Sequence, residues 1–203
     1  MTFSLRRHLL LAGCAAAALA LSACDKPGAS APAFKGVDLT GAEYARTLNL
    51  PDQDGHPRTL GDFKGKVLVV FFGYTQCPDV CPTTMAELAQ VKKSLGADGE
   101  RVQGIFVTVD PERDTPDLLK AYLRGFDPSF VALRGSEEQT KAAAKEFKIY
   151  YAKVPGKAEG SYTMDHTAAS FIFDTQGRVR VFSRYGAGAQ ALADDIKVLL
   201  NEK

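Results

Sequence analysis

The sequence predicts one α/β domain in which helices flank a central mixed sheet, with a strand extension on its N-terminal side. Three observations carry that reading. Val67 to Gly73 is an unbroken β-branched and aromatic run, the pattern of a strand covered on both faces. Segments of helical period alternate with further runs of this kind, which implies a parallel core. Towards the C-terminus, two short strand-like segments bracket a Gly-containing turn and are followed by a last helix. A chain of 203 residues, 45% hydrophobic, can bury one such core and little beyond it.

The first 23 residues are read as a targeting signal. Arg6 and Arg7 precede the apolar run Leu9 to Leu21, and Leu21-Ser22-Ala23-Cys24 closes it, which is the order of a secretory leader. The run is shorter than the roughly 20 apolar residues needed to cross a bilayer core, and Asp25-Lys26-Pro27-Gly28 follows it, so a stable span is disfavoured. The small residues before Cys24 resemble a lipobox, which implies cleavage before Cys24 and lipid attachment to its sulfur. Asp25 resembles the inner-membrane retention signal of Gram-negative lipoproteins, giving a chain anchored at the periplasmic face of the inner membrane. Export by the general or the twin-arginine route is left open by the Arg pair. Residues 24–33, rich in Pro, Gly, Ala and Ser, read as a flexible tether. The folded domain is then 34–203.

Within that domain the elements follow in order. After the Val67–Gly73 strand, Pro82 opens a helical pattern in which Met85, Leu88, Ala89, Lys92 and Leu95 recur, and Gly96 closes it. Val102 to Val109 reads as a second buried strand. Thr115-Pro116 reads as an N-cap with proline at the first helical position, and the helix runs to Arg124. A shorter helix covers Glu137 to Phe147, and Ile149 to Val154 is extended. Ser170 to Asp174 and Arg178 to Ser183 form the hairpin around Thr175-Gln176-Gly177, and Gln190 to Asn201 form the last helix. Strand, helix, strand, helix, then hairpin and helix is the thioredoxin-like arrangement.

Charge excludes one class of partner. Removal of Arg6 and Arg7 with the leader leaves 23 basic against 24 acidic residues, scattered without a Lys/Arg stripe, so nucleic acid is set aside. Cysteine usage is more informative. Cys14 leaves with the leader and Cys24 carries lipid, so Cys77 and Cys81 are the thiols left in the domain. They sit at the junction of the first long strand and its helix, the edge where α/β folds place ligands. Three residues separate them, so on a helical turn both sulfurs share one face, and the helix N-terminus is expected to lower the thiol pKa.

Metal and redox chemistry are told apart by a third group. A thioredoxin-type reductase uses Cys-x-x-Cys facing a proline before a later strand, but here the spacer is three and no proline occurs from Ser161 to Ser170. His166 stands there instead, expected in a loop facing the cysteine turn. His8 leaves with the leader and His56 lies in a Gly-His-Pro turn. Cys77, Cys81 and His166 are therefore the candidate metal ligands. Two soft thiolates and an imidazole suit Cu(I), with Cu(II) as a second oxidation state, whereas structural zinc wants a fourth ligand. Met164 is left out, as expected to point away in an extended segment, and Met85, Phe72 and Tyr74 are assigned to the core. Asp110 and Asp114, in Asp110-Pro111-Glu112-Arg113-Asp114, either orient a group near the cysteines or help dock a partner, or form a turn and helix cap. Asp79 is a candidate contact for a partner.

Three blocks then carry a resemblance: Phe72-Gly73-Tyr74-Thr75-Gln76-Cys77-Pro78-Asp79-Val80-Cys81-Pro82-Thr83-Thr84, Val107-Thr108-Val109-Asp110-Pro111-Glu112-Arg113-Asp114-Thr115, and Asp165-His166-Thr167. In residues and order they resemble the signature blocks of the Sco/SenC family of copper metallochaperones. The resemblance implies a thioredoxin-like fold, copper on Cys77, Cys81 and His166, and maturation of the dinuclear copper centre of cytochrome c oxidase. Partners would be the copper-receiving oxidase subunit and other periplasmic copper carriers or thiol reductants. The protein would be a carrier and not an enzyme, with no catalytic residue. The alternative is a thiol-disulfide reductase that keeps the oxidase's copper-ligand cysteines reduced, with Cys77 and Cys81 as its redox pair. A peroxiredoxin reading, suggested by Val80-Cys81-Pro82-Thr83, fails on Pro78, where that family places Thr.

Overall fold

The computed structural model describes Phe34–Glu202; residues 1–33 and Lys203 lie outside the described residues, and with them the expected leader, the Cys24 anchor and the tether. In chain order the elements are β1 (Val37–Asp38), β2 (Asn49–Pro51), β3 (Pro57–Thr59), β4 (Val67–Gly73), α1 (Val80–Ser94), β5 (Val102–Thr108), α2 (Pro116–Arg124), β6 (Val131–Leu133), α3 (Glu137–Glu146), β7 (Tyr151–Pro155), β8 (Tyr162–His166), β9 (Ala169–Phe173), β10 (Val179–Arg184) and α4 (Ala189–Asn201). Short 3-10 segments occupy Leu60–Phe63 and Gly96–Arg101.

Six strands form the main sheet in the order β1-β10-β9-β4-β5-β6. β4, β5 and β6 run parallel, whereas β4 with β9, β9 with β10 and β10 with β1 are antiparallel. The sheet is thus mixed and the fold thioredoxin-like. β4 is central and every one of its residues is buried, as an unbroken apolar run requires. Neighbouring residues of a strand face opposite ways, so Phe71 and Phe72 serve two layers. Phe72 stacks on Phe147 at the end of α3, at 5.1 Å between ring centres, and Phe71 meets Phe106 at 6.2 Å. α1 and α4 pack together, and Leu88 of α1 lies over Gly104 of β5, where an added Cβ would come within 2.9 Å of the leucine.

Helix α2 begins as its sequence dictates: the Thr115 hydroxyl accepts the Leu118 N–H at 3.3 Å and Pro116 takes the first position. Helix α3 opens with a reciprocal capping box between Ser136 and Gln139. Helix α1 differs from expectation, beginning at Val80 and not at Pro82. A first-turn N–H has no helical partner, so proline is tolerated anywhere in that turn and does not mark its first residue. Cys81 consequently lies on the helix.

Two further differences bear on function. The extended segment near Ile149 forms β7, which pairs only with β8 in a separate two-stranded sheet. His166 is therefore the last residue of a strand and not a loop residue. The β2–β3 hairpin was also unanticipated: its turn is organised by the buried Asp52 carboxylate, which accepts from the Asp54 and His56 amides and from Arg58 Nε.

Candidate metal centre

The strand that carries the site ends at Gly73, and the chain turns through Tyr74–Asp79 into α1. Gly73 is required by contact: a Cβ there would sit 2.9 Å from Cys81 Sγ, 2.7 Å from the Phe71 ring and 3.0 Å from the Phe106 ring. Cys81 thereby packs directly under the strand end, fully buried, while Cys77 is partly exposed. Both are free thiols. The Cys77 amide donates to Tyr74 O at 3.3 Å, and the Cys81 amide donates to Cys77 Sγ at 3.4 Å. The first turn of α1 thus presents an N–H to the outer sulfur.

Asp114 pegs the turn from below. Its carboxylate, without solvent exposure, accepts the Thr75 hydroxyl at 2.5 Å, the Thr75 amide at 3.2 Å and the Thr108 hydroxyl at 2.6 Å. Burial nevertheless holds its carboxyl above the ordinary carboxylate range, outweighing those hydrogen bonds.

His166 reaches the same place from β8. Its Nε2 lies 3.4 Å from Cys81 Sγ and its Nδ1 lies 3.2 Å from Thr167 O. A hydrogen on Nδ1 donates to that carbonyl and leaves the Nε2 lone pair facing the sulfurs. Two rings fix the imidazole edge-on, Phe71 at 5.8 Å and Tyr74 at 5.9 Å. Burial lowers its pKa, which keeps the ring neutral and ready to bind a cation. The donor atoms of Cys77, Cys81 and His166 all lie within 4.8 Å of one another.

Burial also corrects the expected activation at Cys81. At Cys81 desolvation is the largest influence, and it pushes the thiol well above its ordinary pKa. A helix N-terminus acts within one turn of solvated charge, and a fully enclosed sulfur loses more by desolvation than it gains there. Such a thiol gives up its proton to solvent when a cation binds the sulfur in the proton's place.

The other predicted residues separate. Asp110 is buried and does not join the thiol cluster; it accepts from Arg113 Nε and from Tyr162 Oη at 2.9 Å. Asp79 is exposed at the start of α1, where it accepts the Thr83 hydroxyl at 3.4 Å. Met85 is core, fully buried. Met164 is buried on β8, two residues from His166. Residues two apart in a strand share a face, so the spacing does not turn Met164 away; it lines a cleft of about 810 Å³ beside Val109 and Tyr151. Thr75 and Arg113 were missed as organisers, and Tyr74 had been read only as core. Their sequence signal was position alone, next to the cysteines and inside the Asp110–Asp114 block.

The SCO1/SenC family matches residues 38–201. A SCO2-like protein of Rickettsia felis is 36% identical over 132 residues, which is 64% of this chain and 64% of the relative's length; the chain thus aligns with less than two thirds of that relative. A solved structure described as ScoI of Bradyrhizobium japonicum with copper bound shares 41% identity at a TM-score of 0.69, over 76% of this chain and 98% of that one. BsSco, described through a disulfide switch and as a member of the Sco family of cytochrome c oxidase assembly proteins, shares 25% identity at a TM-score of 0.61, over 79% and 95%.

Proposed function

The chain belongs to the SCO1/SenC family, and on that premise we propose that it is a copper metallochaperone in which Cys77, Cys81 and His166 hold the ion for delivery to the dinuclear copper centre of cytochrome c oxidase. One observation carries the reading: two sulfurs and an imidazole nitrogen converge within 4.8 Å. Soft sulfur donors with one nitrogen suit Cu(I) at low coordination number. The copper-bound state of the Bradyrhizobium relative supports the same cargo. Delivery needs no covalent step. A recipient offering similar donors takes the ion by ligand exchange, and the exposed side of Cys77 is where such donors would approach.

Location follows from the leader. We place the protein at the periplasmic face of the inner membrane, held by lipid on Cys24; among the described residues no helix is long and apolar enough to cross a membrane. The domain then begins near Phe34.

A second reading is favoured by the two free thiols and by the disulfide switch described for BsSco. Here one thiolate attacks a disulfide of the oxidase subunit and releases one partner thiolate. The second cysteine then resolves the mixed disulfide, freeing the other partner thiol and leaving Cys77 and Cys81 joined and two electrons poorer.

The test uses the domain from residue 25 onward, reduced and titrated with Cu(I) against a competing chelator. One tightly held ion per chain is expected, with His166→Ala weakening retention and leaving two titratable thiols. Binding that ignores both cysteines and the histidine would sink the carrier reading, and full disulfide-exchange activity in His166→Ala without copper retention would favour the reductase.

A further inference from the structure

The third donor stands on an arm with its own attachment to the body. β7 and β8 pair with each other and with no strand of the main sheet. Along β8 burial alternates: Tyr162, Met164 and His166 are turned inward, whereas Thr163 and Asp165 are exposed. One strand face therefore carries three anchors, and His166 is the last of them. The segment between the strands, 156–161, is exposed throughout.

The anchor at the other end of β8 is built from one arginine. Arg113 lays its guanidinium 3.6 Å from the centre of the Tyr162 ring and 5.8 Å from that of Tyr74. Its Nη1 donates to Tyr162 O at 2.9 Å and to Gln76 Oε1 at 3.1 Å, and its Nε donates to Asp110. Asp110 in turn accepts the Tyr162 hydroxyl at 2.9 Å. Gln76 and Tyr74 belong to the cysteine turn, and Tyr162 lies four residues from His166, about 13 Å along an extended strand. Arg113 thus spans the turn that holds the sulfurs and the strand that holds the imidazole. Tyr74 also packs edge-on against the His166 ring, whereas the hydrogen bonds of Arg113 and of the Tyr162 hydroxyl go to Asp110, Gln76 and the Tyr162 carbonyl and to no donor atom.

We infer that Asp110, Arg113 and Tyr162 form a latch that holds the β7–β8 arm shut, so that the latch sets how long His166 stays on the ion while the cysteines remain fixed. This rests on the copper reading above. The three are positioning residues: opening the latch lets β8 swing away with its imidazole, reducing the site to two sulfurs, the state from which a recipient's donors complete exchange. A charged hydrogen bond together with a cation–π stack is a strong enough closure to matter and weak enough to open at equilibrium.

Two measurements on Tyr162→Ala, with Tyr162→Phe as the ring-preserving variant, decide it. In the metal-free domain, amide exchange at 163–166 should quicken about tenfold in Tyr162→Ala and less in Tyr162→Phe, with β4 and β5 unchanged. In the Cu(I) form, release into excess chelator should also quicken about tenfold, and by less than about twofold when His166 is already Ala. Unchanged exchange at 163–166 overturns the latch. Equal acceleration of release with and without His166 overturns its action through the imidazole. A wild-type chain that retains no copper would sink the functional reading and the metal half of this inference, while the exchange data would still decide the latch.

Discussion

The two sides of the metal centre are built differently. The cysteine turn grows out of β4, a central strand buried at every residue, and is pinned by the buried Asp114 and by close packing of Cys81 under Gly73. The histidine arrives on a two-stranded arm whose outer half is solvated and whose ties to the body are side chains. Position in the sheet sets the difference: a central strand is held by ladders on both sides, whereas β8 has one neighbour, itself unpaired beyond. In the carrier proposed above, this division would let two donors keep their geometry while the third leaves. Stability is not uniform across a fold, and binding elements that move are drawn from its weaker parts.

The largest expected effect tests whether the arm is independent of the core. Phe147 is fully buried against Phe72, Phe171 and Phe173 at 5.1, 5.3 and 6.0 Å. Phe147→Ala should cost about 3–5 kcal/mol in urea denaturation. Amides of β4 and β5, which exchange through global unfolding, should quicken by the corresponding factor, and amides of β8, which exchange through local opening, should hardly change. Equal acceleration in both places would show a single cooperative unit and remove the contrast.

The same contrast explains what was legible in the sequence. β4, β5, α2, α3, the β9–β10 hairpin and α4 were found within one or two residues, because burial on both faces or a cap followed by an apolar period is a local signal. The convergence of Cys77, Cys81 and His166 was anticipated by combining element order with the absence of proline before β9. The β7–β8 arm was not legible as a sheet of its own. Tyr151–Pro155 carries no long apolar run, and the partner of a short, half-exposed strand is chosen by tertiary contacts such as Tyr162 on Arg113. Asp110 lies at the sheet edge where its position in the sequence puts it, but that position does not say which side chains it meets, here Arg113 and Tyr162. The raised pKa of Cys81 was likewise invisible: a helix start can be read from Asp79 to Pro82, but the enclosure of a sulfur depends on Gly73, Phe71 and Phe106 closing over it.

A middle-sized effect should come from the peg beneath the cysteine turn. Asp114→Ala leaves the Thr75 amide and the Thr108 hydroxyl short of an acceptor, and a loss of about 1–3 kcal/mol is expected. The sign of its pH dependence is fixed by burial. The folded state raises this carboxyl's pKa, so the group's contribution is complete below the unfolded value near 3.9 and declines as pH rises through the folded value. The stability advantage of wild type over Asp114→Ala should therefore widen on acidification from neutral pH, measured as paired urea midpoints. An advantage that shrinks as pH falls would mean that the ionised carboxylate is what the turn requires.

The smallest effect belongs to the outer side of the arm and separates decoration from closure. Lys153 pairs with Glu112 and lies 4.7 Å from the Tyr162 ring, but its side chain is 52% exposed and that of Glu112 is 66% exposed. Exposed pairs of long side chains contribute little, because water screens them and ordering them costs entropy. Lys153→Ala should change stability by no more than about 0.5 kcal/mol and leave exchange at 163–166 close to wild type, even though Lys153 sits opposite Met164 in the arm's own ladder. Arg113 touches the same tyrosine from the inner side, with its side chain 20% exposed and its partner Asp110 wholly enclosed. If Lys153→Ala loosened β8 as much as Tyr162→Ala does, the arm would be held by surface charge along its length and not by the buried anchor at its end, and raising the ionic strength should then loosen it in the wild type as well.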